Sequence, residues 1–231
     1  MKLIRILLLV VFCFTCFAVP SFAIEKGQID YKSLSGELIS DKIAKLILED
    51  AKKGNKDALN FLAGLDVFDN SKANDALLSM KGKDGKYVFP DGSYIEVGTT
   101  ISTVESAEPK AVTSSSNTSI TATSTHDHQA QCEKYLGVGI GNVNFGAYFI
   151  YCQYWVNTDN TVDYIYSRDR QQSVPPLTIT CRGTSPAAYH GNFLDIYGSF
   201  DWNISGGGGS TWGALLVCFP NPNNNYIGRT Y

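Results

Sequence analysis

The chain is short of several things, and each shortage removes a class of chemistry. Only three histidines occur in 231 residues, and beyond residue 23 no two cysteines stand as C-x-x-C. The common zinc and redox-motif spacings are therefore missing, and neither metal nor cofactor is expected. Positive charge is not in surplus. Net charge is −3, with 12 basic against 15 acidic side chains over residues 24–125 and 5 against 7 over residues 126–231. Without a basic face there is no footprint for nucleic acid and no polybasic membrane patch. Beyond the first two dozen residues no apolar run is long enough to cross a bilayer as a helix. A G-x-S-x-G nucleophile elbow is also absent.

What is present begins at the N-terminus. Lys2 and Arg5 give a positive start, an apolar run follows from Leu7 to Phe17, and Ser21-Phe22-Ala23 places small residues at the −3 and −1 positions of a signal-peptidase site. Residues 1–23 read as a secretory signal peptide, leaving about 208 residues outside the cytosol. Cys13 and Cys16 leave with it. Cys132, Cys152, Cys181 and Cys218 remain as disulfide candidates with three connectivities, as expected of an exported chain.

The mature chain divides by composition. Residues 24–98 are charged and poor in aromatics, whereas residues 132–231 hold all three tryptophans and ten of the thirteen tyrosines. Between them, residues 99–131 form a Ser/Thr-rich linker: 15 of the 27 residues from Thr99 to Thr125 are Ser or Thr, too polar to offset their ordering entropy. Within that stretch, Asn117 to Thr125 alternates as an edge strand would.

In the first region, Ile39, Ile43, Leu46 and Ile47 outline one helix face, and Gly54 suits its C-terminal stop. Asn55 can cap a second helix carrying Leu59 and Leu62. Asn70 or Ser71 can cap a third, with Ala73, Ala76, Leu77 and Met80 inward. Tyr87 to Val97, with Pro90-Asp91-Gly92 at its centre, reads as a hairpin.

The second region reads as β. From Ala147 to Val156 one face carries Tyr148, Ile150, Cys152, Tyr154 and Val156, and the other Phe149, Tyr151 and Trp155. Apolar faces on both sides mark a central strand. Thr161–Tyr166, Leu177–Arg182, Phe193–Ile204 and Thr211–Phe219 are further strands, with Gly206 to Ser210 as a loop before the last. The expected fold is a mainly β C-terminal domain, an antiparallel sandwich or small barrel bridged by disulfides, with a small α-rich N-terminal region.

Tyr87-Val88-Phe89-Pro90-Asp91-Gly92-Ser93-Tyr94-Ile95, followed by the Ser/Thr-rich stretch and the cysteine-containing β region, resembles uncharacterised small exported proteins of Gram-positive bacteria. The likeness spans residues 85–125. It implies secretion and a sandwich-like C-terminal part, and it implies no activity.

Three functions are compatible with these residues. The first is a secreted β-sandwich that binds an extracellular protein or glycan. Tyr151, Trp155, Trp202 and Trp212 are its candidate binding aromatics, with core anchoring as their competing role. The second is an antimicrobial or toxin-like protein in which residues 24–125 are a removable pro-region. The third is an extracellular hydrolase using His190 and Asp195, with Ser185, Ser199 or Ser210 as nucleophile. The first is favoured, and with it a non-enzymatic role. Gly137-x-Gly139-x-Gly141 lacks the helix a nucleotide fingerprint needs and reads as a bulge or turn. His126-Asp127-His128 sits in polar surroundings and reads as solvent-exposed.

Overall fold

Ser40 opens the first helix: its hydroxyl accepts the Ile43 N–H at 3.4 Å. This is a computed structural model, and it describes residues 29–34, 39–105 and 126–230. The expected signal peptide at 1–23 and the expected edge strand at 117–125 lie outside the described residues. Residues 33–231 form one compact unit. In the separate N-terminal unit, the Lys32 N–H donates to Asp30 Oδ1 at 3.1 Å.

Helix α1 (Asp41–Lys52) buries Ala44, Ile47, Leu48 and Ala51. The buried stripe is turned by about one residue from the expected face, because the small Ala44 and Ala51 side chains permit the closer approach. Helix α2 (Lys56–Ala63) starts at Asn55, whose Oδ1 accepts the Asp57 and Ala58 N–H groups at 2.9 and 3.2 Å. A single 3-10 turn, Asp66–Phe68, leads to α3 (Asn70–Met80). Its cap is Asp69, which accepts from Ser71 and Lys72 at 2.9 and 3.1 Å, rather than Asn70 or Ser71. Three consecutive cap-forming residues stand here, and their identities alone do not choose among them.

Nine strands follow among the described residues. β1 (Gly85–Val88), β2 (Ser93–Glu105), β3 (His126–Ile140), β4 (Val143–Asn157) and β5 (Val162–Ser173) make one antiparallel sheet in sequence order. β6 (Leu177–Tyr189), β7 (Leu194–Ile204), β8 (Gly208–Cys218) and β9 (Tyr226–Thr230) make the other. The chain is mainly antiparallel β, as expected, with its helices at the N-terminal side. Both ends of the stretch read as linker are strand: β2 runs to Glu105, and β3 begins at His126 and pairs with it down to Glu105↔Gln129. Threonine-rich β2 suits a strand once a neighbour supplies the ladder. The glycines at 208 and 209 likewise belong to β8, because the chain reverses at residues 205–207 with Gly207 N–H bonded to Ile204 O at 2.8 Å. Gly139 lies at a register shift in β3, and Gly141 turns the chain at φ +59°.

The sheets meet face to face. Tyr148 of β4 stacks on Phe200 of β7 with ring centroids 4.2 Å apart. Tyr148, Ile150, Cys152, Tyr154 and Val156 all lie on the buried inner face, at 3% exposure or less. The opposite face of β4 is covered from within its own sheet. The Arg170 guanidinium lies 3.6 Å from the Phe149 ring and Arg168 lies 4.9 Å from Tyr151. Such cation–π contacts are worth about 0.5–2 kcal/mol each.

The helices fill the gap between the sheets. Phe68 packs on Trp202 at 4.4 Å. Together with Leu136 and Val138 of β3 and Trp212 of β8, this pair surrounds one small apolar void. Polar ties fix the wedge to two hairpin turns. Asp91 Oδ2 accepts the Asp66 N–H at 2.5 Å, Ser93 Oγ accepts the Val67 N–H at 3.2 Å, and Asp41 Oδ1 accepts from the Asn142 backbone and amide at 3.2 and 3.0 Å.

Candidate functional site

Tyr197 and Ser199 alternate along β7 with the buried Ile196, Gly198 and Phe200, so they point away from the core. Ser185 is the register partner of Tyr197 on β6, and on β8 Thr211 pairs with Asp201 while Gly213 pairs with Ser199. The first two turns of α3 add Asn70, Ser71 and Asn74. These elements enclose an open groove of about 930 Å³, within the range of small-ligand sites. Its rim is fixed by side-chain bonds. Asn70 Oδ1 accepts the Trp212 indole N–H at 2.9 Å, and its amide donates to Ser210 Oγ at 3.4 Å. Hydroxyls, amides and glycine backbone line it. Tyr197, 45% exposed, supplies the one large aromatic surface, and Asp75 is the single ionisable carboxyl among the lining residues.

The four residues expected to bind do not converge there. Trp202 and Trp212 are core, at 8% and 1% exposure. Tyr151 is 4% exposed, with its hydroxyl donated to Gln131 Oε1 at 2.6 Å. Trp155 is half-buried on the outer face of β4, where His126 stacks on it at 4.8 Å. Tyr197 was legible only as an outward position in an otherwise apolar alternation.

Of the cysteines, Cys132, Cys152 and Cys218 are fully buried between the sheets and Cys181 is half-buried. Cys132 faces Cys152 across β3 and β4. The Cys218 thiol is raised well above its ordinary pKa by burial and then by its bond to Cys152. Burial pushes Cys132 up to about 11, and burial followed by the Asp169 charge pushes Cys181 up to about 12. Cys181 Sγ donates to Gln171 Oε1 at 2.7 Å. No Sγ–Sγ bond joins any of the four.

His190 Nε2 lies 3.1 Å from Asp195 Oδ2, and its ring stacks on Phe193. A triad would need a hydroxyl at the other imidazole nitrogen. His190 sits opposite Phe193, whereas Ser185 pairs at Tyr197 and Ser210 at Trp202. At about 3.3 Å per residue these lie roughly 13 and 30 Å up the sheet, and Ser199 roughly 20 Å. None reaches the histidine. His126 pairs with Asp163 at 3.3 Å and His128 with Asp127 at 3.0 Å. No group of ligands suited to a metal ion occurs among the described residues. None of their helices is long and apolar enough to cross a membrane.

Compared with protein-family models, curated proteins and solved structures, the chain matches none.

Proposed function

We propose that this chain is an exported β-sandwich binding module whose groove between α3 and the β6–β7–β8 face takes a neutral, hydroxyl-rich ligand of the glycan class. The lining of that groove carries the reading. Hydroxyl and amide groups on three strands and one helix can exchange hydrogen bonds with sugar hydroxyls. The exposed Tyr197 ring offers a face for the apolar side of a pyranose. No lysine, arginine or histidine lines it, so it does not select an anion.

Titration of the protein with soluble neutral polysaccharides tests this. Saturable binding that weakens roughly tenfold in Tyr197→Ala, the loss of one aromatic anchor, supports it. Equal affinity in wild type and Tyr197→Ala, or no binding across neutral glycans, removes it.

The leader-like N-terminus supports export, and in an oxidising compartment the adjacent Cys152 and Cys218 would form the cross-sheet disulfide. Each thiol gives up a proton and an electron to a dithiol–disulfide oxidoreductase. Non-reducing peptide mapping of exported protein should join the peptides carrying these two residues. The reading of residues 24–125 as a removable pro-region draws no support from the packing, since cleavage would strip β1, β2 and the helical wedge from Trp202 and Trp212.

A further inference from the structure

A second cavity lies on another side of the molecule. We propose that it is an anion site that binds the phosphoryl group of a small ligand, independently of the glycan groove. The cleft, of about 590 Å³, runs between the α3–β1 connection and the 3-10 turn Pro222–Asn224. Three lysines line it: Lys81, Lys83 and Lys134. The sole carboxylate among the lining residues, Asp84, is already engaged, since it accepts from Lys134 Nζ at 2.7 Å and from Thr99 Oγ1 at 2.6 Å. Lys134 is thereby fixed and neutralised in a site where its side chain is 6% exposed. Lys81 and Lys83, both exposed, leave an uncompensated charge of two at the mouth, in a chain whose net charge is −3.

The positions of these ammonium groups are built rather than incidental. Lys81 ends α3 in the left-handed conformation, at φ 52°. Gly82 follows at φ +69°, and a Cβ there would meet the Tyr226 ring at 2.7 Å. The turn is therefore clamped between the helix end and β9, with the Lys81 and Lys83 N–H groups bonded to Leu78 O and Met80 O at 3.1 and 3.0 Å. That clamp places the two lysines at one opening. Inside, the Ser102 hydroxyl is buried without a hydrogen-bond partner, although a buried hydroxyl left unpaired costs about 1–3 kcal/mol. Asn223 and Asn224 bring amides to the opposite wall. Two free ammoniums, amide donors and an unsatisfied hydroxyl match a tetrahedral oxyanion, whose several oxygens accept from all of them.

The test uses the folded mature chain and phosphorus-31 NMR or calorimetric titration. The ligands are inorganic phosphate and glycerol 3-phosphate, with sodium chloride at matched ionic strength as the control. One-to-one saturable binding to either phosphate species, absent with chloride, is expected. A preference for the free ion or for the ester then identifies the source of the phosphoryl group. The K81A/K83A double variant should bind roughly tenfold or more weakly, and the K81R/K83R variant should retain binding. Both alter only exposed side chains, so an unchanged circular dichroism melt accompanies either. Glycan binding at the Tyr197 groove is unaffected by these changes, so the two sites fail separately. The proposal is overturned by the absence of saturable phosphate binding, by chloride acting equally, or by undiminished affinity in K81A/K83A.

Discussion

Glu133 shows how one residue can anchor a sheet face. It is 3% exposed, on the outer side of β3, and a lone carboxylate there would be costly. Arg170 answers it with two bonds, Nε to Oε1 at 2.9 Å and Nη2 to Oε2 at 2.6 Å, and Thr100 Oγ1 donates a third at 2.6 Å. The Arg170 bonds, working against burial and with help from Thr100, hold the Glu133 carboxyl below its ordinary 4.5. A depressed carboxyl pKa adds stability above the unfolded-state value and loses it as pH falls through the folded one. Asp84 acts in the same sense: bonds from Lys134 and Thr99 outweigh burial and keep it below 3.8. Stability should therefore hold near neutrality and drop as pH falls below about 4.5. Glu133→Gln should flatten that acid limb in a chemical-denaturation series against pH; an unchanged limb would detach Glu133 from it. Removing the partner is worse than removing the charge. Arg170→Ala should cost about 2 kcal/mol at neutral pH, part of it from uncovering Phe149. The thiols follow the same reasoning at higher pH. With Cys132 near 11 and Cys181 near 12, few thiolates exist at neutrality. In reduced protein, Cys132, Cys152 and Cys218 should resist iodoacetamide until denaturant is added, as mass spectrometry of labelled peptides would reveal.

At the scale of elements, the sequence is read most reliably where a local pattern has one physical solution. Asn55 can do little before Lys56 except cap a helix, and it does. Pro90-Asp91-Gly92 admits one kind of reversal, with Gly92 at φ +79°. The two faces of β4 follow from period two and fall as expected. The pattern fails where neighbours compete, as at Asp69, Asn70 and Ser71, or where the partner is remote. Nothing near β2 announces that its threonines will pair with β3 across more than twenty residues, so the segment reads as linker. Asp69→Ala should therefore lower stability by about 1 kcal/mol, more than Ser71→Ala at an exposed position of the first turn, a comparison that thermal melts can make. Gly139 is a sharper case. A Cβ there would stand 2.2 Å from Val143 O and 2.5 Å from the Tyr94 ring, with a rigid backbone on one side. Gly139→Ala should cost several times the roughly 0.5–1 kcal/mol usually gained on replacing a strand glycine. An alanine variant melting at the wild-type temperature would mean that the β3–β4 turn gives way freely.

For the molecule as a whole, the helices belong to the core. Their amphipathic faces were legible, and short helices need a surface to persist. The identity of that surface was not, because hydrophobic periodicity says that a face must be covered without saying by what. It proves to be the open gap between the two sheets, reached through Phe68 on Trp202 and closed by Asn70 on the Trp212 indole. The same arrangement explains why tryptophans that look like contact residues in sequence are core, and why the groove appears instead on the outward side of β7, where serine and tyrosine carry little signal of their own. It also makes a prediction about residues 126–231. As an isolated fragment they would expose Trp202, Trp212, Leu136 and Val138 together, and β3 would lose its twelve-pair ladder to β2 and become an exposed edge. The fragment should be aggregation-prone, bind a hydrophobic dye and lack a cooperative melt, whereas residues 33–231 should unfold in one transition. A fragment that melts cooperatively with its tryptophan fluorescence unshifted would show that the helices are an appendage, and would reopen the reading in which they are removed.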